Sequence, residues 1–371
     1  MRYIICALIV SLLITTLYLI RNELIKNAYG EHEAAKTDVY TLNSFIGYMK
    51  KFNKSYTDYE FMRRMRNYEK SVQEIRRLNT IHDSKVFGLT KFSDWADDEF
   101  SAFMLSGRSE RACKEQSMKC LPKRKKYQNF SPSIRYMMFK NRTIDVKISP
   151  TYGNIPVKID WRDFGVVSPV LNQKLCSACW AFSIVGVMES MVAIYKKGLT
   201  RLSIQELIDC SKYNNGCHMG DIRLALQFLC QNDYPIVTEK EYSLTLRDES
   251  CRIPDDQKPN GERIAEYANL CNVDEKKLLK LIAMHGPVVA SVNAAPWRYY
   301  IGGVIKSACP GTWHLVNHAV QIVGYDLTAK VPHYIIRNSW GVDFGDNGYV
   351  KLAVGDNVCG IADNIGHLNV V

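Results

Sequence analysis

The spacing of apolar and polar positions changes several times along the chain, and each change predicts an element. Residues 3–20 form an almost unbroken apolar run with no polar stripe, bounded by Arg2 and Arg21. A run of that length just reaches across a bilayer core of roughly 30 Å. From 57 to 79, Phe61, Met65, Tyr68, Val72 and Ile75 recur every three or four positions, and Thr57 or Asp58 can cap. That predicts one long helix with a polar face. Gly88 to Asp94 reads as a short strand or turn, and Asp97-Asp98-Glu99 opens a small helix. Ala178 to Lys197 predicts a helix buried on most sides, with basic residues at its carboxyl end and Gly198 to close it. Ser203 with Glu206 three residues on has the capping-box pattern, and 221–231 predicts a third helix. After about residue 285 the pattern becomes that of strands, at 288–292, 318–325, 333–337 and 348–352. Helices first and strands later predict an α+β unit with two lobes.

The chain has 371 residues, which suggests two domains or one with extensions. Apolar residues are 47% and charged residues 23%, a composition that excludes wholesale disorder, collagen and coiled coil. Nothing repeats at a period of 20–50 residues. The net charge of +10 is uneven: residues 1–153 hold 27 Lys and Arg against 16 Asp and Glu, and residues 154–371 hold 21 against 22. The basicity concentrates in a Pro- and Ser-containing stretch centred on Lys123, Arg124, Lys125 and Lys126. Such a stretch reads as an exposed, cleavable linker, not as a nucleic-acid face. The expected organisation is a leader over 1–22, a helical region over 40–104, a basic, cleavable linker over 105–153, and a compact domain over 154–371. That last piece is large enough to bury a sizeable core.

The leader is either a cleaved signal peptide or an uncleaved signal-anchor, and both put the rest in the secretory pathway, in a lysosome or outside the cell. Membrane contact is expected only through residues 3–20. Asn53, Asn129 and Asn141 each open a glycosylation triplet. Of twelve cysteines, eight lie between 176 and 309 and one at 359; outside the cytosol many of them should pair.

Gln173-Lys-Leu-Cys-Ser-Ala-Cys-Trp holds two cysteines three apart. Half of a zinc site has that spacing, but no second matching pair follows. Cys176 suits a structural half-cystine. Cys179 sits at the first turn of the buried helix, where free N–H groups and the helix dipole favour a thiolate. A thiolate needs a proton acceptor that becomes a cation, which is a histidine's role. The imidazole in turn needs a group to fix its tautomer. His318 stands at the head of a predicted strand, 139 residues after Cys179, and Asn338 follows one hairpin later in Arg337-Asn-Ser-Trp-Gly.

With these residues in place, the chain resembles a papain-family cysteine protease of the cathepsin L/F type, written as a zymogen and covering about residues 40–371. The resemblance implies the papain-like α+β fold of two lobes, one helical and one barrel-like, behind a helical inhibitory prodomain. Asp160-Trp-Arg resembles the start of the mature enzyme. Cys179 matches the nucleophile, His318 the general base and acid, Asn338 the orienting residue, and Gln173 the side chain that completes the oxyanion hole. Trp340 matches the indole that shields the His–Asn bond. Glu60, Arg64, Tyr68, Ser71, Ile75 and Asn79 fall on the spacing of the inhibitory helix motif, and Gly88, Thr90, Phe92 and Asp94 on a second one. This implies a propeptide that lies backwards along the cleft and is cut off. The implied disulfides are Cys176–Cys217, Cys210–Cys251 and Cys309–Cys359. Cys230 and Cys271 have no counterpart and read as core thiols or an extra bridge; Cys113 and Cys120 can pair with each other.

Several positions depart from the family. Lys174, Leu175 and Ser177 replace small residues, and Ser177 stands where it can crowd the subsite beside the scissile bond. Gly220, expected to pair its main chain with substrate, is kept, while His218 and Met219 beside it are atypical and His218 reads as a surface residue. Phe344 replaces a second tryptophan. The main specificity pocket would be lined by Ile222, Ser291, Ala319 and Asn364. An unsatisfied Asn364 amide there would weaken a preference for large aliphatic side chains. Cys251 follows Cys217 by only 34 positions, which leaves no room for an exopeptidase insertion. The expected activity is therefore that of a monomeric cysteine endopeptidase acting on peptides and proteins. It would need no cofactor and no metal, and its own propeptide and cystatin-type proteins would inhibit it. The competing readings are a catalytically impaired relative that binds peptides or proteases, and a membrane-tethered structural glycoprotein.

Overall fold

The computed structural model describes residues 39–82, 85–106, 113–120, 151–152, 155–196, 198–254, 259–311 and 315–371. The apolar leader, the basic run at 123–126, Asn129 and Asn141 lie outside the described residues. The chain divides into two compact units, Met1–Lys70 and Ser71–Val371.

The first unit carries helix α1 (Val39–Lys51) and the start of helix α2 (Asp58–Thr80). Its core is aromatic. Phe45 meets Phe61 edge-on at 5.2 Å and Tyr68 at 5.3 Å, and Tyr48 lies 5.1 Å from Tyr68. Such pairs contribute beyond simple area burial, and they follow the apolar spacing that predicts α2. Asn53 is exposed, with φ near 50°.

The second unit is built on one mixed sheet. In chain order its strands are β1 (Gln116–Lys119), β4 (Lys158–Asp160), β5 (Ile264–Cys271), β6 (Val288–Val292), β7 (Val304–Ile305), β8 (His318–Asp326), β9 (His333–Arg337), β10 (Tyr349–Ala353) and β11 (Asn364–Val370). They run in the spatial order β1-β5-β11-β6-β8-β9-β10-β7, with β4 on β8. A separate short pair joins β2 (Thr151–Tyr152) to β3 (Ile155–Pro156). The remaining helices are α3 (Asp97–Met104), α4 (Cys179–Lys196), α5 (Ile204–Cys210), α6 (Ile222–Gln231) and α7 (Glu275–His285).

Two cores fill this unit. One packs β6, β8, β9 and β10 around Trp297, Tyr325, Tyr334, Ile336 and Trp340; the other packs α4, α5 and α6 against Tyr267 and Leu368. Helix α4 is buried on every face from Cys179 to Ala193, which is why its sequence shows no polar stripe. Its buried Glu189 accepts from Arg201 Nε at 3.1 Å and Leu202 N at 2.9 Å. Ser203 caps α5 by accepting from Glu206 N at 2.9 Å. The other arm of the expected capping box is redirected, since Glu206 Oε2 accepts from Val237 N at 2.8 Å.

The cysteines correct two expectations. Cys113 is bonded to Cys271 and Cys120 to Cys230, so the first two do not pair with each other and the last two are not core thiols. The segment between them forms β1, paired antiparallel with β5, so this part of the basic stretch belongs to the sheet. Pairing with β5 supplies the strand's backbone partners and the disulfides hold its ends, neither of which a local pattern reveals. The other bridges are Cys176–Cys217, Cys210–Cys251 and Cys309–Cys359.

Candidate active site

Cys179 opens α4 and is the free cysteine among the described residues. The loop before it is fixed by the Cys176–Cys217 bridge and by hydrogen bonds from Ser177 N to Cys217 O and from Ala178 N to Cys176 O, both at 2.8 Å. Lys174 in that loop has φ near 50°, in the left-handed region that favours glycine. Its N–H donates to Asn172 Oδ1 at 2.8 Å.

His318 begins β8, and Asn338 directly follows β9, the neighbouring strand. The hairpin therefore brings them together: His318 Nε2 lies 2.8 Å from Asn338 Oδ1. That oxygen also accepts Ser339 N at 2.9 Å. A carbonyl oxygen only accepts, so the proton sits on Nε2 and Nδ1 keeps its lone pair. Nδ1 is buried with no hydrogen-bond partner. Three aromatic rings enclose this pair. Trp340 lies 4.9 Å from the imidazole, Trp297 meets the imidazole edge-on at 6.2 Å, and Phe344 packs edge-on against Trp340 at 4.7 Å.

Gln173 Oε1 accepts from Ser339 Oγ at 2.6 Å, which turns its amide toward the loop before α4. There Nε2 donates to Cys176 O at 3.0 Å. It also reaches Met104 O at 3.4 Å and Phe103 O at 3.5 Å. These two carbonyls close α3, and the segment that follows it crosses the site. Ser177 Oγ donates to Leu105 O, Ser106 N donates to Asn317 O at 2.7 Å, and Ser106 Oγ lies against Cys179 Sγ. The preceding residues hold this segment in place. Gly88 N donates to Tyr299 O at 2.8 Å, and a Cβ on Gly88 would come 2.8 Å from Ile301. Phe92 and Phe100 meet Trp340 edge-on at 5.8 and 5.4 Å. Asn79 closes the turn after α2, accepting from Phe87 N at 3.0 Å and donating to Phe87 O at 2.8 Å.

With the segment in place burial favours the neutral form of both Cys179 and His318. Burial pushes the Cys179 thiol above its ordinary value, with hydrogen bonding from Ser106 and nearby main chain only partly opposing it. Burial lowers His318 to about 4, and Asn338 opposes this only partly. For the thiol, the loss of water outweighs the hydrogen bonds offered to it. The thiolate that the start of α4 favours is therefore disfavoured while the segment covers the site.

The pocket residues come from four elements. Ser291 on β6 stands opposite Ala319 on β8, Ile222 begins α6, and Asn364 begins β11 opposite Cys271. Asn364 Nδ2 donates to Ser291 Oγ at 3.1 Å, which removes the basis for an unsatisfied amide at the pocket floor. Gly220 packs against Trp180, where a Cβ would meet the indole at 2.3 Å. His218 is 74% exposed and pairs with Asp248 at 2.9 Å; Met219 is exposed as well. Sequence reasoning missed Leu105, Ser106 and Asn317. Only Asn317 had a signal, as the neighbour of His318.

Comparisons with known proteins agree along most of the chain. A family model described as "Papain family cysteine protease" matches residues 155–367, and one described as "Cathepsin propeptide inhibitor domain (I29)" matches residues 45–100. Human cathepsin O is 33% identical over 308 residues, covering 82% of this chain and 87% of that protein. Cysteine proteinase A of Leishmania mexicana is 30% identical over 360 residues, covering 95% and 92%. Among solved structures, a recombinant stem bromelain precursor is similar with a TM-score of 0.68 at 27% identity, covering 89% of this chain and 98% of that one. Procathepsin L2 from Tenebrio molitor larval midgut is similar with a TM-score of 0.69 at 27% identity, covering 89% and 99%.

Proposed function

The chain belongs to the papain family of cysteine proteases, and from that premise we propose that Cys179 is its nucleophile, His318 its general base and acid, Asn338 the residue that orients the ring, and Gln173 part of the oxyanion hole. The protein is a cysteine endopeptidase made as an inactive precursor with an intramolecular propeptide. Nothing in the comparisons favours a catalytically impaired binding module. The observation that carries the residue assignment is the free, buried Cys179 at the start of α4 together with the 2.8 Å bond from His318 to Asn338. That bond leaves Nδ1 as a base.

In the mature enzyme Cys179 loses its proton to His318 Nδ1, and Sγ attacks the scissile carbonyl. The oxyanion that forms is met by Gln173 Nε2 and the N–H of Cys179, donors already aimed before reaction. The Gln173 amide meets pro-segment carbonyls in the precursor, which supports this role. His318 then gives its proton to the leaving amine, and water, deprotonated by the same imidazole, hydrolyses the thioester. Substrate would lie with its main chain along Gly220 and a side chain between Ile222, Ser291, Ala319 and Asn364. The pro-segment passes from Trp340 through Gln173 to Cys179 and then reaches Asn364 by way of Cys113. On these subsite assignments it runs opposite to substrate and is not cleaved where it crosses the sulfur.

Five disulfides among the described residues and the apolar leader support a place in the secretory pathway or lysosome. A monomer, open to cystatin-type inhibitors once the cleft is clear and glycosylated at Asn53, completes the proposal. The test is labelling of acid-processed protein with an epoxide probe for active thiols, located by peptide mass. The reading predicts label on Cys179 and none in Cys179→Ala; label elsewhere, or none in the processed wild type, contradicts it.

A further inference from the structure

The strongest feature outside the catalytic groups is the way the catalytic sheet holds Cys113–Cys120. Strand β1 pairs with β5 in the register Gln116↔Asn269 to Lys119↔Glu266. Both flanks of the strand are bonded to sulfurs of the catalytic domain, Cys113 to Cys271 at the end of β5 and Cys120 to Cys230 near the end of α6. Cys120 N donates to Ala265 O at 2.9 Å. Asn269, only 1% exposed, donates its amide to Lys114 O at 3.1 Å. Met118 and Cys120 pack against the core around α4 and α6. The catalytic domain thus supplies two cysteines, a buried amide and a sheet edge to one short piece of the pro-region. Removing that piece would leave the Asn269 amide without this partner and expose an edge strand, both unfavourable.

Resting on the zymogen reading above, we propose that Cys113–Cys120 is not discarded on activation but stays in the mature enzyme as a disulfide-held edge strand beside the substrate pocket. Activation is hydrolysis: each cut adds one water across a C–N bond and leaves every S–S bond intact. A cut at the basic run 123–126 alone would therefore leave the inhibitory segment covalently tied to the domain it blocks. Release of Leu105 and Ser106 requires a cut between Ser106 and Cys113. The retained strand also shapes the pocket. Cys113 Sγ lies 3.5 Å from Asn364 Oδ1. Asn364 stands opposite Cys271 in the β5–β11 pairing. The Cys113–Cys271 bridge thus packs against the oxygen of the Asn364 amide, and Ser291 accepts from its Nδ2.

The test is unreduced peptide mapping of the acid-processed wild-type protein, with its first residue read by amino-terminal sequencing. The proposal predicts a first residue no later than Cys113 and two linked peptide pairs, Cys113 with Cys271 and Cys120 with Cys230. A processed, proteolytically active enzyme whose first residue lies beyond Cys120 and which lacks both pairs would overturn it. The mapping reads the tether whether or not Cys179 takes a probe, so its failure and a failure of the protease reading are told apart. As a second arm, in protein cut both before Cys113 and in the basic run 123–126, Cys113→Ser/Cys120→Ser should lose the peptide and raise KM severalfold for substrates that fill the Asn364 pocket, with kcat kept. Unchanged KM values in a variant that has lost the peptide would overturn the pocket role.

Discussion

Asn338 Oδ1 sits between two donors, His318 Nε2 at 2.8 Å and the N–H of Ser339 at 2.9 Å. The second donor fixes which end of the amide is oxygen, and that in turn fixes the imidazole tautomer. Replacing Asn338 with Ala frees the ring to rotate and to carry its proton on either nitrogen. Because a positioned acid–base group is worth about 10²–10⁴-fold, we expect Asn338→Ala to lower kcat about a hundredfold with little change in KM. Steady-state kinetics on processed protein check this, and an unaffected kcat would remove Asn338 from the orienting role.

The closed site should open more readily in acid. In the closed form burial lowers His318 to about 4, whereas an exposed imidazole binds its proton near 6.5. Above that upper value the two forms hold the same number of protons, because the imidazolium of the open form takes its proton from Cys179, and pH has no effect. As pH falls through the window the open form takes the proton first and is favoured; near 4 the shift is complete. Its ceiling is roughly 3 kcal/mol. The lag before processing should therefore shorten progressively between pH 6.5 and 4. A lag independent of pH across that window contradicts this.

Ser177 has a role that the family pattern does not suggest. Its hydroxyl donates to the carbonyl of Leu105, so in the precursor it grips the pro-segment. Ser177→Gly loses one hydrogen bond, worth about 1 kcal/mol, and should shorten the lag severalfold at each pH. Equal processing times for variant and wild type would show that this bond does not matter.

Glu206 makes the opposite demand on pH. Burial raises its carboxyl to about 7 from an ordinary 4.5. The native state then binds the proton more tightly than the unfolded chain, so its full stability is present below 4.5 and is lost as pH rises through 7. Glu206→Gln keeps an acceptor for Val237 N and carries no charge. We expect it to raise stability at pH 8 by roughly 1–3 kcal/mol and to do nothing at pH 4.5, measured by urea unfolding at both values. A loss of stability at pH 8 would contradict this.

What the sequence disclosed depended on whether the signal was local. Helix α4 was legible because it is apolar on every side, and α6 because Asp221 caps it by accepting from Arg223 N at 2.7 Å. The Cys179, His318 and Asn338 set was legible because each residue sits in a short motif at an element's end. β5 and β11 were not read, since their buried positions do not alternate cleanly. Helix α7 was also missed, along with α1. The tether escaped because Cys113 and Cys271 are 158 residues apart and the stretch around Cys113 has a linker's composition. The helix terminus shows where a thiolate is favoured but not whether water reaches it, and in the precursor burial raises the Cys179 thiol.

The account turns on His318 ionising Cys179 only after the pro-segment has left. The direct measurement is the pH dependence of Cys179 alkylation by iodoacetamide, read by intact mass in the precursor, the processed protein and processed His318→Ala. We predict a reactive thiolate at neutral and mildly acidic pH in the processed wild type alone, with the precursor unreactive there and the variant reacting only at alkaline pH. The same alkaline rise in all three would contradict it.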